Sequence, residues 1–151
     1  SSMSERRTDR MLDKNRSHGL PPFLAEDAGV DSGLMIAQYT QAGLVSDNKR
    51  LAAPASVDSI PSSAMQEDHV SMGWHAARKL RSVVNNTRQV LAIELIAAAR
   101  AIELRSPHSP APRTAKVVKQ LRSVVPGVGP DRFLSPELRA ANELLLLDIW
   151  Q

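Results

Sequence analysis

A run of four polar residues near the middle of the sequence combines an amide, two carboxylates and an imidazole. The run is Gln66, Glu67, Asp68 and His69, within the stretch SSAMQEDHV at residues 62–70. A carboxylate accepts hydrogen bonds from an ammonium group or an imidazole N–H, and an amide both donates and accepts them. The run therefore suits the recognition of a small polar substrate. The alternative interpretation is that Asp68 caps the next helix and that Glu67 is its solvated neighbour.

Metal binding and hydrolytic catalysis find little support in these residues. Adjacent residues such as Glu67, Asp68 and His69 rarely point at one cation, and no two histidines have the helical i, i+4 spacing. No G-x-S-x-G nucleophile elbow occurs, and PGVGP at residues 126–130 predicts a turn. We therefore expect neither a metal site nor a serine hydrolase.

The composition is that of a globular domain built from aliphatic residues. Of the 151 residues, 42% are hydrophobic and 23% are charged, while only 3% are aromatic. An aliphatic composition of this kind favours packed helices over a β-sandwich. The longest apolar run is far too short to span a membrane, and the absence of cysteine fits a reducing compartment. We therefore expect a cytoplasmic protein with no membrane partner.

Basic residues outnumber acidic residues only slightly, by 19 to 16. Arg78, Lys79, Arg81 and Arg88 lie close together, as the residues of a phosphate-contacting face do. No aromatic stacking platform accompanies them, so a solvated or salt-bridged helix face is the better interpretation. We expect no nucleic-acid partner.

The polar run lies where a loop gives way to a long helical pattern. Residues 54–67 contain two prolines and several serines and predict a loop, and the helical pattern then continues without proline to about Arg105. A helix of about 34 residues is about 50 Å long, which is more than so small a domain can cover. An alternative is a break at the weak helix formers Asn85, Asn86 and Thr87.

Residues at intervals of seven along the long helix predict one mostly apolar seam on its surface. This seam requires packing partners from elsewhere. Further helical patterns lie at residues 4–15, from Ser32 to before Pro54, at 114–124 and from Ser135, with Ser32 and Ser135 as expected N-caps. The sequence predicts an all-α, long-helix bundle formed by one helical region over residues 1–151. The seam residues are Val84, Leu91 and Ala98 together with Arg88, Leu95 and Ile102.

The stretch APASVDSIPSSAMQEDHVSMG at residues 53–73 closely resembles a signature of the histidine ammonia-lyases, within the aromatic amino acid lyase family. The resemblance is close over residues 1–105 and more variable over 106–151. It indicates the carboxy-terminal portion of a longer, mostly helical lyase. The shorter pieces that agree are SERR at 4–7, GLPPFL at 19–24, SGLMIAQ at 32–38, NTR at 86–88 and VLAIE at 90–94.

The resemblance implies a homotetramer that eliminates ammonia from L-histidine to give trans-urocanate, in histidine catabolism. The electrophile of that family is a methylidene-imidazolone (MIO), formed by cyclisation of an internal Ala-Ser-Gly. No Ala-Ser-Gly occurs in this sequence, and the nearest string, at residues 55–57, ends in Val57. The only tyrosine, Tyr39, falls in a helical pattern and does not match the family's catalytic tyrosine. We therefore expect an amino-terminal part to supply both groups, and no catalysis by these 151 residues alone.

In the resemblance Glu67 matches the family's active-site glutamate, where phenylalanine- and tyrosine-type lyases carry an amide. A carboxylate suits either the polar imidazole ring of histidine or the ammonium group of that amino acid. The resemblance therefore implies histidine as the substrate. Gln66 and Asp68 are expected to support the substrate loop, and His69 is expected to be structural. Met65 replaces a usual Asn beside the site, and Leu34 replaces a common Phe.

Two alternatives remain open from the sequence. One is a related lyase or aminomutase of the same family that acts on another amino acid. The other is a non-catalytic, truncated helical assembly module, which would keep the long helix without the chemistry. Either function is compatible with self-association through the apolar seam.

Overall fold

The computed structural model describes residues 1–147 and contains five α-helices in that range. The all-α prediction is confirmed, and residues 148–151 of the predicted region lie outside the described residues. None of the helices in residues 1–147 has the length and hydropathy needed to cross a membrane. The helices are α1 (Ser2–Leu12), α2 (Met35–Leu51), α3 (Gly73–Glu103), α4 (Pro112–Arg122) and α5 (Ser135–Leu144), with short 3-10 turns at Pro22–Leu24 and Ala55–Val57.

The central element is α3, a single helix of 31 residues and therefore about 46 Å long. Asn85, Asn86 and Thr87 lie inside it, so the alternative of a broken helix is wrong. Gly73 does not interrupt the helix, because it is the first helical residue. The prediction of one long helix is confirmed.

Only the carboxy-terminal half of α3 is embedded in the described domain. Val90, Ile93 and Ala97 are at most 3% exposed where the helix packs against α1, α2 and α5. In the amino-terminal half, by contrast, Trp74 is 75% exposed and Leu80 63% exposed. The helix therefore extends beyond the part of the chain that covers it, as its length predicted.

The predicted seam is not the face that forms the core. Val84 and Leu91 are exposed, and Arg88, Leu95, Ala98 and Ile102 are only partly buried. A seam at intervals of seven assumes one partner helix, whereas three helices surround the embedded half of α3. The core of α3 is therefore broader and lies on other residues, which are Val90, Ala92, Ile93, Ile96, Ala97, Ala99 and Ala101.

Buried polar side chains join the first three helices. The Glu94 carboxylate of α3 accepts hydrogen bonds from the hydroxyl of Ser4 and from Nη2 of Arg7 (2.9 Å), both on α1. On α2, Gln41 is fully buried and its Nε2 donates to the carbonyl of Val90 at 2.8 Å. Because buried polar groups must find partners, these bonds fix the register of α1 and α2 against α3.

The guanidinium of Arg100 ties two irregular segments to α3. Arg100 is 5% exposed, and its Nε and Nη2 donate to the carbonyls of Leu24 (2.7 Å) and Gly129 (3.1 Å). Burial lowers the pKa of this guanidinium from its ordinary value. In the first of these segments, the main chain of Phe23 lies close to Gly33. A Cβ added to Gly33 would be 2.5 Å from the carbonyl oxygen of Phe23, so only glycine fits there.

Ser32 is not the N-cap of α2, because the helix begins at Met35 with Leu34 as its N-cap. The N–H groups of Ser32 and Gly33 donate instead to the two oxygens of Asp131, at 2.6 and 2.8 Å. These hydrogen bonds lower the pKa of the Asp131 carboxyl. A carboxylate from the turn before α5 thus holds the segment that leads into α2, and the helix itself has no side-chain cap. Ser135, the other expected N-cap, is the first residue of α5, whose N-cap is Leu134.

Replacing Arg100 is expected to destabilise the fold. The substitution Arg100→Met fills much of the same volume but leaves two carbonyl groups without their donors, which costs about 3 kcal/mol of unfolding free energy. Urea denaturation measures this loss. Arg78→Met, on the exposed half of the same helix, is the matched control and should change stability by less than about 0.5 kcal/mol. Equal stability of the two variants would contradict the role given to Arg100.

Candidate active site

The predicted site lies in the loop between α2 and α3, at the exposed end of the long helix. Two polar contacts fix this loop. The hydroxyl of Ser59 donates to the carbonyl of Val70 and accepts its N–H, both at 3.1 Å. The ammonium group of Lys79 on α3 donates to the carbonyl of Ala53, where the loop leaves α2. The segment that carries Glu67 therefore projects from two anchored ends.

Glu67 closes a tight turn at the tip of this loop. Its N–H donates to the carbonyl of Ser62 (3.2 Å), and its own carbonyl accepts the N–H of Ser62 (3.0 Å). A third bond, from the N–H of Gln66 to the carbonyl of Ser63 at 3.1 Å, lies inside the turn. These hydrogen bonds fix the main chain of Glu67, and with it the position from which the side chain extends.

The turn contains three consecutive residues in the left-handed region. Ser63 and Ala64 have φ 52° and Met65 has φ 72°. This conformation costs a residue with a Cβ about 1 to 2 kcal/mol, and none of the three is glycine or asparagine. This turn could not be predicted from the residue types, because residues that favour the left-handed region are missing from it.

The side chains of the four predicted site residues are all exposed. Met65 is 75% exposed, and Gln66, Glu67 and Asp68 are exposed as well. Within residues 1–147 no side-chain hydrogen bond or ion pair engages the carboxylate of Glu67 or the amide of Gln66. Both groups are therefore available to a ligand or to another part of the protein.

Asp68 does not cap α3, so that part of the alternative interpretation is wrong, whereas Glu67 is exposed as that interpretation expected. Its Oδ1 accepts the N–H of His69 at 2.7 Å, within the loop. The helix begins later, at Gly73, with Met72 at its N-cap position, and the hydroxyl of Ser71 accepts the N–H of Gly73 at 3.2 Å. Asp68 thus shapes the chain just after Glu67.

Two cavities of the described chain can be compared with the position of the predicted site. A small one, of about 220 Å³, adjoins the loop between Asp58, Val70 and Ala76. A larger one, of about 520 Å³, lies between α1 and α3 and includes none of the four site residues. In the described range no three His, Asp or Glu side chains come together as a metal site. The carboxylate of Glu67 thus lies on the exposed surface and outside both of these cavities.

Comparison with known proteins identifies the family. Residues 1–123 match the family model of the aromatic amino acid lyases. The chain belongs to that family. The histidine ammonia-lyase of Streptomyces avermitilis is 70% identical over 142 residues, which are 93% of this chain and 28% of the relative.

Solved structures of this family share the fold. The crystal structure of histidine ammonia-lyase from Trypanosoma cruzi superposes with a TM-score of 0.92 at 43% identity and covers 96% of this chain. Tyrosine aminomutase from Streptomyces globisporus gives 0.90 at 35% identity over 95% of the chain. The chain covers 28% of each of these two proteins, so most of each lies outside the matched region.

The resemblance found in the sequence is thereby confirmed at the level of the family and its fold. The match to residues 1–123 extends beyond the closely similar region 1–105 that the sequence suggested. The roles of Met65, Gln66, Glu67 and Asp68 stay predictions, because the structure describes their positions and not a bound substrate.

Removing the hydroxyl of Ser59 is expected to loosen the loop without affecting the core. Ser59→Ala loses both hydrogen bonds to Val70, and the loss of about 1 kcal/mol should speed exchange of the Val70 amide proton about fivefold. Hydrogen exchange measures this rate. Ser56→Ala, in the same loop and without a side-chain hydrogen bond in the described structure, is the control. Identical exchange rates in both variants would show that Ser59 does not anchor the loop.

Proposed function

We propose that the complete polypeptide carrying this chain is a histidine ammonia-lyase, which eliminates ammonia from L-histidine to give trans-urocanate. The observation that carries the proposal is the high identity to a histidine ammonia-lyase over almost the whole chain, with Glu67 in the matched loop. The proposed enzyme is a cytoplasmic homotetramer. Its assembly is supported by the exposed apolar residues Trp74, Leu80 and Val84 on α3.

The reaction breaks the bond between the α-carbon and nitrogen of L-histidine and removes a proton from the β-carbon. Neither step is easy at neutral pH, because the leaving amine and the β-proton are both poorly activated. An MIO group supplies an electrophile that activates the substrate in this family. Ala55–Val57 forms a 3-10 turn and lacks the glycine of Ala-Ser-Gly, so the residues of this chain do not fit the formation of that group. We therefore propose that another part of the polypeptide supplies the MIO group.

Glu67 is proposed to bind the substrate. Its carboxylate can accept a hydrogen bond from the imidazole N–H or the ammonium group of L-histidine. Two features support this role, namely the fixed main chain of Glu67 and the absence of a competing side-chain partner among the described residues. Gln66, Asp68 and Met65 are proposed to hold the loop in place beside the substrate.

A related amino acid aminomutase is the second candidate. The tyrosine aminomutase fold is nearly as similar to this chain as that of the histidine enzyme, so the fold alone does not distinguish the two. The carboxylate of Glu67 favours histidine, because it complements a ring that carries an N–H donor, whereas a hydrocarbon or phenol ring offers no matching N–H. A non-catalytic assembly module has no such use for Glu67.

Replacing Glu67 by its amide is expected to impair the enzyme. In the complete polypeptide, Glu67→Gln keeps the shape of the side chain but removes its charge, and kcat/KM for L-histidine should fall by about 100-fold. The absorbance of urocanate measures the reaction.

Glu143→Gln serves as the control, because Glu143 is exposed on α5 and has no side-chain partner in residues 1–147. It should leave kcat/KM unchanged. A Glu67→Gln enzyme as active as this control would exclude Glu67 from the reaction.

A further inference from the structure

The described part of the chain contains two runs of consecutive non-glycine residues in the left-handed region, and they differ in what holds them. Phe23 and Leu24 each have φ 55°, and Leu24 is fully buried with its carbonyl bonded to Arg100. Residues 63–65 are exposed and lack any such support. Left-handed residues persist where the surroundings over-determine them, which is true of the first run and not of the second.

The conformation of Met65 and the position of Glu67 are coupled. Met65 is the last left-handed residue of the turn, and the pair of main-chain bonds between Ser62 and Glu67 closes immediately after it. If Met65 returns to the ordinary region with negative φ, the chain leaves the turn in another direction and this pair opens. The carboxylate of Glu67 then departs from the surface on which the closed turn presents it.

The side chain of Met65 offers no compensation for its strained main chain. It is 75% exposed, so burial of its apolar atoms contributes little to holding the turn. An unbranched residue with a Cβ is disfavoured at positive φ, asparagine is tolerated better, and a β-branched residue is tolerated least. The identity of residue 65 therefore affects how often the turn is closed.

We infer that Met65 is a positioning residue, which sets the fraction of molecules whose turn is closed and presents Glu67 to the substrate. This inference rests on the proposed role of Glu67 in binding L-histidine. A substrate that binds only the closed turn has an apparent affinity reduced by the closed fraction. Substitutions at residue 65 thus change KM, while kcat at saturating substrate stays the same.

The test is a series of three substitutions in the complete polypeptide, assayed with L-histidine. Met65→Val should raise KM by up to about fivefold, because it adds roughly the cost of the left-handed conformation. Met65→Asn should lower KM by a smaller factor, because the closed fraction cannot exceed one. Met65→Leu changes the shape of the side chain but not its tolerance of positive φ, so its KM should lie between those of the Asn and Val variants. The control is Met3→Leu, at a methionine that is 77% exposed on α1, and it should leave KM and kcat unchanged.

A second measurement follows the turn directly. The N–H of Glu67, bonded to Ser62, should exchange more slowly in Met65→Asn and faster in Met65→Val than in the unsubstituted protein. Melting temperatures should be equal in all variants, because the turn lies outside the core. A KM that follows side-chain size, with Met65→Leu outside the range set by the Asn and Val variants, would show direct contact with the substrate and overturn the inference.

The failure of this inference is distinguishable from failure of the proposed function. If Glu67→Gln abolishes urocanate formation while the three Met65 variants share one KM and one exchange rate, the inference is wrong and the function stands. If the unsubstituted polypeptide forms no urocanate, the proposed function is wrong. In that case the exchange rates of the Glu67 N–H still decide the inference, and equal rates across the series overturn it.

Discussion

The burial of the carboxy-terminal half of α3 among α1, α2 and α5 is the constraint on which the other features depend. A continuous helix cannot bend to stay inside a small domain, so embedding one half directs the other half outward. The loop before Gly73 is carried to that outer end. The exposure of Glu67 is therefore a consequence of how α3 is packed.

The two left-handed runs show how the same strained conformation serves different purposes in one chain. At Leu24 it lies in the core, where Arg100 and the close approach of Gly33 leave no other arrangement. At Met65 it is held by main-chain bonds alone. The chain is therefore held most firmly where the helices meet. The loop in which a substrate is expected is held more weakly, as is common for binding loops.

Much of this architecture could be predicted from the sequence. The five helices, the length of α3 and the loop before it follow from apolar spacing and from the positions of proline. The seam of Val84 and Leu91 lies outside the core of the described residues, because periodicity along one helix does not reveal how many helices surround it or which face they cover. The cap at α2 was wrong because the helix begins later, at Met35, while the N–H groups of Ser32 and Gly33 are bonded to Asp131, far away in the chain. Glu67 was found through the resemblance to a family, since the physical pattern alone left a capping interpretation open. Neither the pattern nor the resemblance could predict the left-handed turn, whose residues carry no local preference for it.

The proposed function is that the complete polypeptide is a lyase for histidine, with the carboxylate of Glu67 favouring that substrate. The values of kcat/KM of the complete polypeptide for L-histidine, L-tyrosine and L-phenylalanine test this proposal. We expect urocanate and ammonia from L-histidine, with little or no reaction of the other two amino acids. Efficient turnover of L-tyrosine or L-phenylalanine, with L-histidine unchanged, would contradict it.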